Sequence, residues 1–390
     1  MQRTNTLTFV KRVILGNGSA NRIGEEVKAT GARRVLLVTD RGVVKSGISG
    51  RVVESLKKRE LQTETFSEVE PEPDIETARH VARVVRDREF DIVCGVGGGS
   101  AMDIAKVAAV AATNSGDPRQ FVGVGLIKKP SLPKLLVPTT AGTGSEMTPN
   151  AILGIHEEGI KAGIVSPYVL ADIILVDPLL TVTLPAAPTA SSGLDALTHA
   201  VESYISLDAN PITDLLSLRA IELIASNLQK VFSEGNNVPA RSAMSMAAMM
   251  AGISIANAGT CSGHAAAYGY AAKYHIPHGV SVAVALPYIL AFNLVSCREK
   301  GEKIAKALGV KSTSSSQLEA SRKAVQIIVK LMNSVKCPTS LSELKIPKSE
   351  IGNIAQIMLK NTRLMAHNPR PVSESDAVDI IHKMWAGSID

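Results

Sequence analysis

The chain has few aromatic residues: one Trp, six Tyr and six Phe make up 3% of its 390 positions. With 45% hydrophobic residues overall, its cores must be built mainly from Ala, Val, Ile and Leu. Cysteine is also sparse. Cys94, Cys261, Cys297 and Cys337 lie far apart and form no CxxC pair, which excludes a disulfide framework and a zinc ribbon. Every apolar stretch is broken by Lys, Asp, Gly, Pro or His before it reaches bilayer length, so no membrane partner is expected. The opening residues, MQRTNTLTFVKRVILGNGS, are too polar for a secretory signal, and the expected location is the cytoplasm. The net charge is +6, without any block of five or six like charges. Lys57, Lys58 and Arg59 form only a short cluster, as at a solvated helix end. No nucleic-acid partner is implied, and a small phosphate-bearing ligand suits this mild basicity better.

What is present divides the chain in two. Strand-like runs at 35–40 (VLLVTD), 63–66, 91–96 (DIVCGV), 135–140 (LLVPTT) and 173–177 (IILVD) alternate with helical patterns near 46–59, 75–88 and 101–113. That alternation predicts a parallel sheet covered on both faces. The segments 151–155 and 161–165, separated by HEEG, read as a small β-hairpin. After LPAAP (184–188) strand signals cease, and long Ala-, Leu- and Met-rich helical periods follow at 193–205, 211–232, 240–258 and 373–385. The expected domains are therefore 1–185, α/β and dinucleotide-binding, and 186–390, all-helical and metal-binding. The one biased patch, 312–316, reads as a loop.

Two turns in the first half suit a nucleotide. Gly95-Val96-Gly97-Gly98-Gly99-Ser100 follows a strand and opens a helix, whose N-terminal N–H groups and dipole attract a pyrophosphate. It is not the GxGxxG fingerprint, and by itself a tight strand-to-helix turn explains it too. Thr139 to Glu146 (TTAGTGSE) forms a second small-residue turn at a strand's carboxyl end, where parallel sheets bind ligands. Asp40 ends the strand VLLVTD, where a carboxylate accepts hydrogen bonds from a ribose and repels a 2′-phosphate, favouring NAD over NADP.

The helical half carries the sharper signal. Asp195 and His199, four apart in GLDALTHAVESYI, share a helix face. His264 and His278 are fourteen apart; on one straight helix they would lie roughly 20 Å from each other. Pro277 and Gly279 break the helix, so the chain can fold back and bring both imidazoles together. An i, i+4 Asp–His pair is often only a surface hydrogen bond, and His264 could be a satisfied core residue. However, three of the eight histidines (His264, His275, His278) cluster amid apolar helices, where buried polar groups cost several kcal/mol unless paired or ligating. One carboxylate and three imidazoles suit Fe(II), or alternatively Zn(II).

Five segments, in this order, resemble the iron-containing (group III) alcohol dehydrogenases: GGGSAMDIAK (97–106), PTTAGTGSE (138–146), GLDALTHAVESYIS (193–206), HAAAYGYAAKYHIPHG (264–279) and HNPRPVS (367–373). The resemblance covers the chain from about Val13 onward. It implies a dehydroquinate synthase-like architecture with NAD(H), or alternatively NADP(H), bound by Gly97, Gly98, Gly99, Ser100, Thr139, Thr140, Ser145 and Lys161, with Asp40 near the adenosine ribose. It also implies metal ligation by Asp195, His199, His264 and His278, next to the nicotinamide in an interdomain cleft, and a homo-oligomer. The activity it implies is metal-assisted hydride exchange between the nicotinamide and a small alcohol or aldehyde. Dehydroquinate synthases and glycerol dehydrogenases resemble the same architecture but lack a match to His199, which argues against a lyase or cyclase.

The pattern is departed from twice. Many members carry histidine where this chain has Tyr268, and the hydroxyacid–oxoacid transhydrogenases resemble it in having Tyr there; that activity is the alternative. Tyr268 and His275 are the candidates to relay a proton, although either could be a packing residue. Where many members have a PNP turn, this chain reads Pro71-Glu72-Pro73, which puts a carboxylate near the expected cofactor site.

Overall fold

The computed structural model describes residues 4–155, 160–311 and 316–389. The hairpin turn HEEG and all but the last residue of the 312–316 patch lie outside the described residues. The chain forms two compact units.

The first unit comprises Phe9–Thr140 and Gly144–Leu184. Its strands are β1 (Arg12–Leu15), β2 (Arg34–Asp40), β3 (Gln62–Val69), β4 (Ile92–Gly97), β5 (Gly123–Val124), β6 (Lys134–Pro138), β7 (Asn150–Ile155), β8 (Ile160–Val165) and β9 (Ile173–Val176). Its helices are α1 (Ile23–Ala29), α2 (Arg41–Lys45), α3 (Ile48–Lys57), α4 (Ile75–Asp87) and α5 (Gly99–Thr113). Six strands form one sheet in the order β1-β9-β6-β4-β2-β3, with every pair parallel. The central strands β4 and β6 are buried at every residue, which explains why they read as unbroken apolar runs. The expected hairpin is present as the antiparallel pair β7–β8, joined by β5 in a second small sheet.

Sequence reading missed β1. Four residues long and mostly exposed at a sheet edge, it shows neither alternation nor a buried run. At the other edge β3, QTETFSEV, is protected by charge. Helix α5 approaches the sheet closely because its contact residues are small: a Cβ on Gly95 would lie 2.7 Å from the Cβ of Ala105.

The second unit comprises Pro185–Asp390, Ala141–Thr143 and the N-terminal segment up to Thr8. That segment is tied to the helical unit by Asn257, which accepts from the Thr8 N–H at 2.6 Å and donates to the Thr8 carbonyl at 3.1 Å. The helices are α6 (Ala186–Ile205), α7 (Pro211–Ser233), α8 (Val238–Ala258), α9 (Ser262–Tyr268), α10 (His278–Asn293), α11 (Arg298–Ala307), α12 (Gln317–Ser334), α13 (Ile351–Lys360), α14 (Thr362–Met365) and α15 (Glu374–Ala386). Their starts follow the sequence. Asn210 and Thr213 form a capping box ahead of α7, with Pro211 at its first position, and Ser373 with Asp376 does the same for α15. Helix α6 starts seven residues earlier than its apolar period suggested, because its first turns follow Pro185 as a half-exposed lead-in.

The three longest helices meet where side chains are absent. A Cβ on Gly193 would lie 2.3 Å from Leu228 Cδ1 and 3.0 Å from Met244 Cε. Gly193→Ala should therefore destabilise the helical unit by about 1–3 kcal/mol through overpacking. Gly50→Ala, at an exposed position of α3 with nothing within 4 Å, should instead stabilise by about 0.5–1 kcal/mol. Denaturant unfolding of both variants checks this contrast; equal effects would show that backbone entropy alone governs both sites.

Candidate metal centre

Asp195 and His199 project from one face of α6, His264 is the third residue of α9, and His278 is the first residue of α10. One ligand-type atom from each lies within 4.8 Å of all the others. His199 Nε2 is 3.5 Å and His278 Nε2 is 3.7 Å from Asp195 Oδ1. The imidazoles of His199 and His264 stack with centroids 4.9 Å apart, and those of His264 and His278 are tilted at 5.4 Å. Asp195, His199 and His264 are buried, and His278 is the partly exposed member.

The chain reversal that joins these residues is more elaborate than the Pro277 break. Helix α9 already ends at Tyr268, and the backbone turns through 269–275 with His275 in the left-handed region at φ 51°. Ile276 N–H then returns to the Ala271 carbonyl, and the Tyr270 hydroxyl donates to the Ser281 carbonyl at 2.6 Å, pinning the first turn of α10. Gly279 lets that turn lie against α6: a Cβ there would sit 2.2 Å from the Ser191 carbonyl oxygen. Without that close approach His278 would not reach Asp195.

Glu202, one turn after His199, is fully buried and was not singled out from sequence. Its Oε1 accepts from the Gly263 N–H at 2.6 Å, and its Oε2 accepts from His264 Nδ1 at 2.5 Å. A carboxylate can only accept here, so Nδ1 carries the proton and the lone pair of Nε2 is directed into the cluster. Gly263 makes room for this, since a Cβ would lie 2.5 Å from Glu202 Oε1. The NPR element anchors the same helix. Asn368 accepts from Ser262 Oγ at 2.7 Å and exchanges two hydrogen bonds with Asn293 of α10, while the Arg370 guanidinium lies over the Phe292 ring at 3.8 Å. Glu202 could have been found by one signal: a carboxylate one turn after a candidate ligand in an otherwise apolar helix needs a partner when buried.

Whether the residues fit an ion can be judged from their unpaired atoms. Asp195 Oδ1 and His264 Nε2 are buried and have no hydrogen-bond partner among the described residues. Two such buried acceptor atoms in one cluster would be costly unless a cation met them. The separations of 3.5 and 3.7 Å agree with the roughly 3.4 Å expected between ligand atoms about 2.1 Å from a tetrahedral ion. Burial pushes the His199 imidazole below its usual value, which favours the neutral, ligating form. Nearby Cys261 is not a thiolate candidate: burial holds its thiol well above the ordinary range, and Sγ points to the Glu202 and His367 carbonyls. An N₃O set without sulfur suits Fe(II) or Zn(II).

Neither proposed relay residue joins the four-residue cluster. Tyr268 lies beside it, with its ring stacked on His278 at 6.3 Å. His275 is exposed on the reversal.

In the parallel-sheet unit, the Gly97–Ser100 and Thr139–Thr140 turns lie side by side, since Gly97 pairs with Pro138 and its carbonyl accepts from the Thr139 N–H at 2.9 Å. Gly98 caps α5 and Gly99 begins it. Asp40 caps α2 by accepting from the Val43 N–H, and its other oxygen lies 3.0 Å from where a Gly97 Cβ would be. Gly97, at φ 158°, is therefore kept bare by both its conformation and its neighbour. Ser145 is used internally: its hydroxyl donates to Asp103 Oδ1 at 2.5 Å and accepts from buried Lys106 Nζ at 2.7 Å. These bonds hold the second turn to α5. Lys161 pairs with Glu72 at 3.0 Å.

A metal-type cluster in a helical unit, together with a glycine-rich helix start at the carboxyl end of a central parallel strand, defines a metal-dependent dehydrogenase. Comparison with known proteins agrees with that class. Residues 10–178 match the model of iron-containing alcohol dehydrogenases, and residues 189–385 match the C-terminal model of the Fe-containing alcohol dehydrogenase family. The chain is 38% identical to long-chain-alcohol dehydrogenase 1 of Geobacillus thermodenitrificans over 96% of its own length and 95% of the relative's. It is 37% identical to 1,3-propanediol dehydrogenase of Klebsiella pneumoniae, covering 95% and 96%. A crystal structure of 1,3-propanediol oxidoreductase superimposes with a TM-score of 0.95 at 36% identity, covering 98% of this chain and all of the other. Sulfoacetaldehyde reductase of Bifidobacterium kashiwanohense in complex with NAD+ superimposes with a TM-score of 0.88 at 27% identity, covering 98% and 99%. The chain belongs to the iron-containing alcohol dehydrogenase family.

The geometry around Glu202 makes a specific prediction. Glu202→Gln keeps the side chain's size and removes its charge, so His264 loses its charge-assisted partner. The affinity for Fe(II) or Zn(II) should fall about 10- to 100-fold, measured by competition with a chelator on protein whose circular dichroism matches the parent. Unchanged affinity would mean that α9 alone orients His264.

Proposed function

We propose that this protein is a nicotinamide-dependent alcohol dehydrogenase and aldehyde reductase for small alcohols or aldehydes. Asp195, His199, His264 and His278 hold its divalent ion, Fe(II) or alternatively Zn(II). The carrying observation is the convergence of these four ligands around buried Asp195 Oδ1 and His264 Nε2, neither of which has a hydrogen-bond partner among the described residues. When bound, the ion supplies Lewis acidity toward a substrate oxygen and the nicotinamide carries the hydride.

The chain's own residues do the rest. Asp195 brings negative charge to the ligand set, and Glu202 fixes the His264 ring. Tyr268, whose ring stacks on His278, relays the alcohol's proton, its hydroxyl accepting that proton as it gives up its own outward, with His275 as the other candidate on the same reversal. Gly97, Gly98, Gly99 and Ser100 at the start of α5, with Thr139, Thr140 and Ser145 of the second turn, cradle a pyrophosphate. Asp40 accepts from ribose hydroxyls and disfavours a 2′-phosphate, giving NAD(H) preference over NADP(H). Lys161 is a further cofactor contact. The NAD+ complex of the sulfoacetaldehyde reductase with this fold supports the cofactor assignment.

Among the described residues no helix is long and apolar enough to cross a membrane. The four cysteines are free, in keeping with the cytoplasm. A homo-oligomer completes this reading.

The test is anaerobic NADH consumption with short aldehydes, using protein stripped of metal and reloaded with Fe(II) or Zn(II). Turnover should vanish on stripping and return on reloading. No turnover with any ion and either NADH or NADPH would sink this reading. Hydride exchange between a hydroxyacid and an oxoacid without added nicotinamide would favour the transhydrogenase, the activity that Tyr268 recommends. In an active enzyme, Tyr268→Phe should lower kcat and change the pH–rate profile; an unchanged profile removes its hydroxyl from the proton path.

A further inference from the structure

The Pro71-Glu72-Pro73 turn, where this chain carries a carboxylate, is bound on two sides in the parallel-sheet unit. The Glu72 N–H donates to Ser100 Oγ at 3.2 Å, in the first turn of α5. The next residue's carbonyl, on Pro73, accepts from the Gly154 N–H of β7 at 2.9 Å. Glu72 itself is in the left-handed region at φ 55°, which a non-glycine side chain seldom adopts. The flanking prolines and these two hydrogen bonds hold it there. From that position its Oε1 reaches Lys161 Nζ on β8 at 3.0 Å, with the lysine side chain 11% exposed and the glutamate 34%. The backbone of Glu72 is therefore fastened to the glycine-rich turn, and water screens its pair with Lys161 only in part.

We infer that Glu72 is a charge-compensating residue of the cofactor groove, holding Lys161 in place and cancelling its charge so that a dinucleotide meets a neutral pair instead of a lone cation. The inference rests on the dinucleotide-binding reading of this unit. Attraction of the cofactor's two phosphate charges is then left to the first turn of α5, and Lys161 offers its remaining N–H donors to hydroxyl or carbonyl groups. A carboxylate this close to a pyrophosphate site keeps cofactor affinity moderate, which favours release of the spent nicotinamide.

The test uses isothermal titration of the purified full-length protein with NADH at several salt concentrations. Glu72→Gln keeps an acceptor for Lys161 and removes the charge; it should bind NADH roughly three- to tenfold more tightly, with a steeper loss of affinity on adding salt. Lys161→Met leaves the Glu72 carboxylate uncompensated and should weaken binding, and adding Glu72→Gln to it should recover part of the loss. A purely structural role for Glu72 would give neither the salt dependence nor the rescue. Binding by the parent protein together with an unchanged or weaker Kd in Glu72→Gln overturns the inference alone. If the parent protein binds neither NADH nor NADPH, the dinucleotide reading fails and the inference fails with it.

Discussion

The fully buried Glu202 carboxylate is the constraint on which the helical unit turns. Removing a carboxylate from water costs several kcal/mol unless its oxygens are satisfied, and here one meets a backbone N–H and the other an imidazole N–H. Both donors come from α9, so the same interaction that makes burial tolerable also sets the position of that helix against α6. The histidine lone pair left over must then face Asp195 and His199. The metal-type cluster follows from a charge that had to be buried and paired. Gly263 and Gly279 are the steric counterpart, each admitting a close approach that a single Cβ would block.

Strong periodicity was the legible part of this molecule. Buried parallel strands and long apolar helices declare themselves because one pattern repeats for several turns or residues. Asp195 and His199 were readable for the same reason, being four apart on one helix. His264 and His278 could be joined only by noticing that a straight helix would separate them; the proline pointed to a break, but the reversal begins nine residues earlier, at Tyr268. Nothing local in that stretch announces a left-handed His275. Strand β1 stayed hidden because an exposed four-residue edge strand carries no hydrophobic signature. The tie between Thr8 and Asn257 was invisible because contacts across such a distance in sequence leave no periodic trace.

Polar residues were harder, since identity does not reveal which side of a turn they face. Ser145 sits among glycines and hydroxyls as a cofactor contact would, and its hydroxyl also belongs to a buried network with Asp103 and Lys106 that no local pattern announces. Lys106 is fully buried, and burial depresses its affinity for a proton, so its five oxygen partners, the Asp103 carboxylate among them, are what permit an ammonium there. Glu202 was overlooked for the converse reason: a glutamate late in a helix is usually solvated, and only its burial reveals its work.

Relatives of this chain at similar identity carry names as different as long-chain-alcohol dehydrogenase, 1,3-propanediol dehydrogenase and choline dehydrogenase. A cluster of four ligand-type side chains and one supporting carboxylate has no group that could distinguish a long alkyl chain from a quaternary ammonium. Substrate selection must therefore lie in side chains that the ligand set does not constrain. Tyr268 lies outside the four-residue cluster while its ring packs on His278. Glu72 stands in the same relation to the glycine-rich turn, fastened to Ser100 through its backbone while its side chain remains free to vary. A scaffold that fixes the reacting groups through backbone and buried charge, and leaves their neighbours variable, can hold one chemistry constant while its substrates and cofactor affinities diverge.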